Sequence, residues 1–538
     1  MATLSLRRKL CREILNRTSI SRGVRHTRRL STKPPVKNVD QAIRTHKGDN
    51  VHALESESGL SSFKWMSQFG PEFLIRGEQV QVITEPDQFY QVLKLKTRKA
   101  KRRVTLASLY LGNGNLESDL VACVREACEE AVTSGNSDFE VNVLLDYTRG
   151  SRGKFNSRSM LRPLMADYKS VQVALFHTPD LRGILKRLVP DRFNETIGLT
   201  HVKLYLFDDS FIISGANLSN DYFMNRQDRY ILFNDCPELA NFFNDLVKAI
   251  MSFSLSLSAD DSLSLAPDWD IHPYQDSDNG LRFKLAARKK IQSCLRLGES
   301  VTDIRKRDRQ KVREENVADG QSSGTLPPDT AVYPLVQMGP LGVSYDEQAM
   351  LGLLRSSQPQ DNILLASGYF NLTDHYMAVI LDQSQAKFSI LMASPQANGF
   401  LGAKGIAGAI PYSYIYLAHQ FLRKVQSRQQ LPRIHMMEYS RDSWTFHGKG
   451  LWYYLPGHAL PSLTLVGSPN FGYRSVYRDL ECQVAIVTEN KGLQEQLREE
   501  HVNMYSSSSP VTEATFHRRD RHVPLWTRLV TSVIKHFF

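Results

Sequence analysis

Two segments half a chain apart, THVKLYLFDDSFIISGANLSN and FHGKGLWYYLPGHALPSLTLVGSPN, share one layout. In each, a His and a Lys stand two apart on an apolar run: His201 and Lys203, then His447 and Lys449. A second apolar run ends in Gly-x-Asn (Gly215, Asn217) or Gly-Ser-x-Asn (Gly467, Ser468, Asn470). An acid follows eleven residues after each Asn, Asp228 in one copy and Glu481 in the other. Residues i and i+2 of a strand share a face, so each His and Lys can point into one pocket. A lone His-x-Lys arises often by chance. The matching Asn and acid downstream set this pair apart, and two such halves facing each other would gather two imidazoles and two ammonium groups around one phosphate.

The repeat extends beyond the motif. VTLASLYLGNG (Val104–Gly114) and NILLASGYFNLT (Asn362–Thr373) each read as a strand entering a turn. VNVLLDYTRG pairs with FSILMASPQ, and VQVALFHTP with RIHMMEYSR, as apolar strands opening into polar loops ahead of each His-x-Lys. Strands alternating with amphipathic stretches predict two α/β domains related by duplication. The expected organisation is an N-terminal segment over 1–38, a first domain over 60–270, a linker or insertion over 271–330 and a second domain over 331–538. The linker is read from its charged and polar composition, IRKRDRQKVREEN and GQSSGTLPPD.

A formal charge of +11 suggests nucleic acid until it is located. Residues 1–38 hold eight Arg, three Lys and one acid, Glu13, and so carry +10 of it. This Arg- and Ser-rich, acid-poor stretch has the pattern of a mitochondrial transit peptide. The alternative, a basic arm gripping nucleic acid, is set aside, and no nucleic acid is expected as a partner. Six cysteines without a C-x-x-C pair indicate reduced thiols and no metal-ligand spacing. No run of about twenty apolar residues calls for a spanning helix.

The chemistry follows from residue types. A phosphodiester is anionic, so attack on it needs positive charge on the non-bridging oxygens, a nucleophile and a proton donor. Lys203 and Lys449 supply charge without a metal. His201 and His447 divide the roles of nucleophile and acid. Asp228 and Glu481 can orient the imidazoles, and Asn217 and Asn470 can bond phosphate oxygens.

His201, Lys203 and Asp208 with the following Gly-x-Asn, repeated at His447 and Lys449, resemble the phospholipase D superfamily. The second copy departs from the pattern: Tyr454 stands in place of the Asp, and seven extra residues separate its His from its Asn. The phrases SGANLSNDYFMNRQDRY, FHGKGLW and GSPNFGYRSVYRDLE are similar to those of the eukaryotic mitochondrial phosphatidyltransferases that use CDP-diacylglycerol and glycerol 3-phosphate. The similarity runs from about residue 60 to the C-terminus. It implies two duplicated phospholipase D-like α/β domains packed face to face around one shared active site. It also implies a ping-pong reaction through a phosphatidyl-histidine, with His201 as nucleophile and His447 as acid, on the way to phosphatidylglycerol and cardiolipin. The expected location is the matrix side of the mitochondrion, peripheral on an anionic inner membrane, with no cofactor required. Two rivals stay open: a phosphodiesterase using water, and an inactive scaffold.

Further candidates carry two readings each. Arg149 and Arg152, in DYTRGSR, form either a phosphate cradle or a solvated loop. The LGNGN turn (Gly112, Gly114) could hold nucleotide phosphates, but it lacks Gly-Lys-Ser/Thr, which weakens any reading as an ATP site. KLKTRKAKRR (Lys94–Arg103) is either a grip on anionic headgroups or a solvated edge. In LWTRLVTSVIKHFF, Leu525, Trp526, Leu529, Val530, Val533, Ile534, Phe537 and Phe538 share a helical face that suits either core docking or a membrane interface.

Overall fold

The computed structural model describes residues 59–190, 193–295, 327–402 and 408–537. The expected transit peptide, residues 1–38, lies outside them. Two large sheets carry the chain, one from each half. In the first, the strands Val171–Phe176, Glu140–Asp146 and Arg103–Ala107 run parallel. They continue antiparallel through Leu204–Phe207, Ser210–Ser214, Tyr230–Phe233 and Val80–Ile83. The second repeats this order with Ile434–Tyr439, Lys387–Ala393, Asn362–Ser367, Lys449–Tyr454, Leu463–Gly467, Leu480–Thr488 and Thr330–Met338. The three strand pairs read as equivalent in sequence hold equivalent places in the two sheets.

Most of these strands are buried along almost their whole length, which is why they read as apolar runs and not as alternating ones. Each half has its own outer layer, and a third apolar cluster is common to both. This common layer joins Phe176, Phe211 and Phe243 of the first half to Val336, Trp452 and Val466 of the second.

A buried ion pair fastens the halves beneath the site. Arg229 Nε and Nη2 donate to the two carboxylate oxygens of Glu500 at 2.9 and 2.8 Å. Arg229 also donates to the Leu465 carbonyl, and Trp452 Nε1 donates to Glu500. Every polar atom of this pair therefore gains a partner, which is the condition for tolerating buried charge.

The domain boundaries differ from those read in the sequence. Leu281–Leu295, inside the expected linker, is a helix that buries Phe283, Ala287, Ile291 and Leu295 in the common layer. Composition hid it, because only one face of this basic helix is apolar. Conversely, Phe73–Ile75 pairs with Thr330–Val332 of the second sheet, and Phe63, Trp65 and Met66 fill that half's outer core. The start of the expected first domain thus completes the second.

Candidate active site

Each motif His sits on the extended lead-in to its strand, and its backbone is tied to the other half. His201 N donates to the Leu480 carbonyl at 2.7 Å, and His447 N donates to the Gln227 carbonyl at 2.7 Å. Leu480 and Gln227 immediately precede the two acids. The side chains repeat the exchange: Glu481 faces His201 Nδ1 at 3.0 and 3.1 Å, and Asp228 faces His447 Nδ1 at 2.6 Å. Neither half contains a complete His–acid pair by itself. Lys203 Nζ donates to the His201 carbonyl at 2.8 Å and Lys449 Nζ to the His447 carbonyl at 2.9 Å. Gly215 makes room for this crossing, since a Cβ there would lie 2.6 Å from Asp228 and 2.7 Å from Lys449 Nζ.

The electrostatics follow from burial. Both acids are wholly buried, and the lysine side chains are nearly so. Burial holds His201 and His447 well below the ordinary imidazole range, and the neighbouring lysines push the same way. Burial also lowers both lysines and raises Asp228 and Glu481. Both imidazoles are therefore neutral near pH 7. A carboxylate at Nδ1 favours that nitrogen as the donor and leaves the Nε2 lone pair for chemistry; at His447, Lys449 Nζ also approaches Nδ1, at 2.7 Å. His447 Nε2 lies 3.4 Å from Tyr222 Oη, which accepts from Asn217 Nδ2 at 3.1 Å. The Oδ1 atoms of Asn217 and Asn470 are buried without a hydrogen-bond partner; being acceptors, they would be completed by a donor group of a bound substrate and not by its phosphate oxygens.

No family model matches the chain. It is 48% identical over 499 residues to the mitochondrial CDP-diacylglycerol–glycerol-3-phosphate 3-phosphatidyltransferase of Gallus gallus, covering 89% of this chain and 87% of that one. It is 46% identical over 485 residues to the Homo sapiens enzyme of that name, covering 89% and 86%. The Saccharomyces cerevisiae enzyme is 33% identical over 489 residues, covering 86% and 88%. The chain belongs to this phosphatidyltransferase family. The crystal structure of phosphatidylserine synthase from Haemophilus influenzae Rd KW20 matches with a TM-score of 0.63 at 18% identity, over 88% of this chain and 98% of that one, and shares the fold.

In this family member the other sequence candidates are each held by contacts of their own. Asp208 is not at the cleft; at φ 52° it holds a turn, and its carboxylate accepts the backbone N–H groups of Lys101, Arg102 and Arg103 at 2.9, 2.7 and 3.1 Å. Ser468 is at the site: its Oγ is engaged with the backbone of Cys482 in both directions and also meets the Glu481 carboxylate. The Gly112–Gly114 turn encloses the Glu117 carboxylate, which would lie 2.2 Å from a Cβ at Gly112 and which accepts from Asn220 N at 2.6 Å. An anion already fills that turn, so it is no phosphate cradle. DYTRG is a one-turn helix, not a loop. Arg152 pairs with Glu195 at 3.1 Å, and the Arg149 guanidinium lies 4.3 Å over the Tyr110 ring. The motif's contribution to the site is Asp146, which accepts from Arg149 N and from Thr200 N, next to His201. Burial pushes its pKa up to about 7.

Sequence reasoning missed a charge swap around the acids. Seven and two residues before Asp228 stand Asp221 and Arg226; at the same offsets before Glu481 stand Arg474 and Asp479. Both pairs form ion pairs at 3.1 Å with the charges exchanged. Arg226 lies over the Tyr222 ring and is among the charges that depress His447, while Arg474 acts likewise on His201. Aligning the two copies on their acids would have exposed this. Tyr369, edge-on to His447 at 5.5 Å and stacked on Tyr414, had no such signal.

Proposed function

We propose that this chain transfers the phosphatidyl group of CDP-diacylglycerol to the 1-hydroxyl of sn-glycerol 3-phosphate, releasing CMP and giving phosphatidylglycerophosphate. The observation that carries the reading is the exchanged pair of neutral imidazoles, each held at Nδ1 by an acid of the other half. Membership of the family supports the choice of substrates. His201 Nε2 attacks the phosphorus bearing diacylglycerol; a P–N bond forms, and the P–O bond to CMP breaks. Lys203 and Lys449 hold the non-bridging oxygens as charge builds. CMP leaves as its phosphate anion, so this step draws no proton from the neutral His447. His447 Nε2 then takes the hydroxyl proton of glycerol 3-phosphate as the new P–O bond forms and the P–N bond breaks, and passes that proton on to the released CMP.

His201 is assigned as nucleophile because its side chain is 12% exposed against 4% for His447, so it is the imidazole open to an incoming phosphodiester. The scheme requires no cofactor. Relatives named mitochondrial support a place in that organelle, and the reading puts the chain on the matrix side, peripheral on the inner membrane. Among the described residues no helix is long and apolar enough to cross a membrane. The deciding assay follows CMP release from CDP-diacylglycerol with and without glycerol 3-phosphate. Release that depends on the acceptor, with an acid-labile phosphatidyl adduct on His201, is expected. Release at the same rate without the acceptor would make the chain a hydrolase, and no release in either case would leave a scaffold.

A further inference from the structure

A surface helix normally buries its apolar stripe and shows its polar one. The C-terminal helix Leu525–Ile534 does the reverse. Thr527 and Thr531 are 1% and 0% exposed, whereas Leu525 is 75%, Trp526 54%, Leu529 74% and Val530 38% exposed. The inward face is held by hydroxyls: Thr531 Oγ1 bonds Ser413 Oγ at 2.8 Å and the Thr527 carbonyl at 2.6 Å. Thr527 and Thr531 lie four apart on the buried edge, so the helix docks through its threonines and leaves an aromatic and aliphatic face outward. Arg518, Arg519 and Arg528 are exposed on the same segment.

The helix is built onto the walls of the catalytic cleft. Ser413 adjoins Tyr414, which stacks on Tyr369 against His447. At the helix's far end, Arg478 Nε donates to the His536 carbonyl at 3.0 Å, and the His536 ring lies 4.2 Å from Tyr473, the residue before Arg474. The chain's densest basic run contrasts with it. Five of its seven basic residues, Lys94, Arg98, Lys101, Arg102 and Arg103, pair with four acids of the protein, which offsets part of that edge's charge.

We propose that the outward face of Leu525, Trp526, Leu529 and Val530 inserts into the interface of an anionic bilayer and sets the catalytic cleft at headgroup depth. The inference rests on CDP-diacylglycerol being the substrate. Its phosphates must reach His201 while its acyl chains stay in an apolar medium, and an apolar face beside the cleft provides continuity between the two. Exposed Leu and Trp with flanking Arg match an interface whose surface carries negative charge.

The test uses the full chain and flotation with vesicles of three parts phosphatidylcholine to one part phosphatidylglycerol, and of phosphatidylcholine alone. The double variant Leu525→Glu, Leu529→Glu should lose about tenfold in binding to the mixed vesicles and in turnover of vesicle-borne CDP-diacylglycerol. Its turnover in detergent micelles should equal that of the parent, which separates a lost docking surface from a failed chemistry. A parent chain inactive in micelles would instead break the functional reading. As a second measure, lipids brominated along the acyl chain should quench part of the Trp fluorescence, and Trp526→Phe should remove that part. Unchanged vesicle binding in the double variant, or quenching that survives Trp526→Phe, overturns the proposal. So does a parent dimer that the double variant dissociates without loss of vesicle binding.

Discussion

In the first half, the strand after His201 ends at a tight turn, where Asp208 gathers three backbone N–H groups from the neighbouring strand's lead-in. In the second half, the strand after His447 ends at Tyr454, whose hydroxyl meets the ring of His501, and the chain returns through Leu455–Ser462. The catalytic ends of the two strands are nonetheless alike, with a His, a Lys, a backbone bond to the other half and an acid received from it. The motif Asp therefore maintains a strand end, and a different tertiary contact can replace it. The chemistry depends on the crossing of acids between halves, and that crossing survives in both copies.

The sharpest way to break this comparison is to remove each imidazole. His201→Ala and His447→Ala should each lose at least about 10⁴-fold in turnover. In a single turnover, His447→Ala should still accumulate adduct on His201, and His201→Ala should accumulate none; the reverse pattern would exchange the two roles. Next come the crossed acids. Glu481→Gln and Asp228→Asn should each cost about 10³-fold in kcat by loosening the tautomer of the imidazole across the interface. A larger effect on adduct formation from Glu481→Gln, read by quenched flow, would support the pairing with His201.

Stability tests follow. Arg229→Met leaves Glu500 buried and uncompensated, and should lower the unfolding free energy by about 3–5 kcal/mol in chemical denaturation. Asp208→Ala should cost about 1–3 kcal/mol by orphaning three N–H groups while leaving kcat near that of the parent. Tyr454→Phe should cost less than about 1 kcal/mol, because only one hydroxyl is lost. A kcat loss in Asp208→Ala comparable to that in His201→Ala would return Asp208 to the catalytic set.

The smallest effect is on the pH profile. His201 and His447 sit below the usual value of about 6.5, so they stay neutral as pH falls through it, and the acid limb of kcat/KM should lie below that value. The depressed lysines lose their charge as pH rises through their lowered values, so the alkaline limb should lie below about 10.4. An acid limb at or above 6.5 would contradict the burial of the imidazoles.

The duplication, the strand equivalences and both His-x-Lys sets were legible because each rests on a local period or a repeated spacing. The helix Leu281–Leu295 was not, since its basic residues resemble those of a linker until one face is covered. The LGNGN turn misled for the opposite reason. Its glycines do admit an anion, but the anion is the chain's own Glu117. For the C-terminal helix, the sequence marked the amphipathic face, and only its neighbours decided that the threonines face inward.

By itself the sequence determined the parts list: two imidazoles, two lysines, two acids and a duplicated α/β scaffold, since residue type and spacing travel with the chain. Only the tertiary structure decided which acid serves which histidine. The spacing within each copy leaves that pairing open; facing sheets bring Leu480 and Gln227 against the opposite histidines and carry Glu481 and Asp228 across. Contacts between residues 219 and 280 positions apart have no local signature.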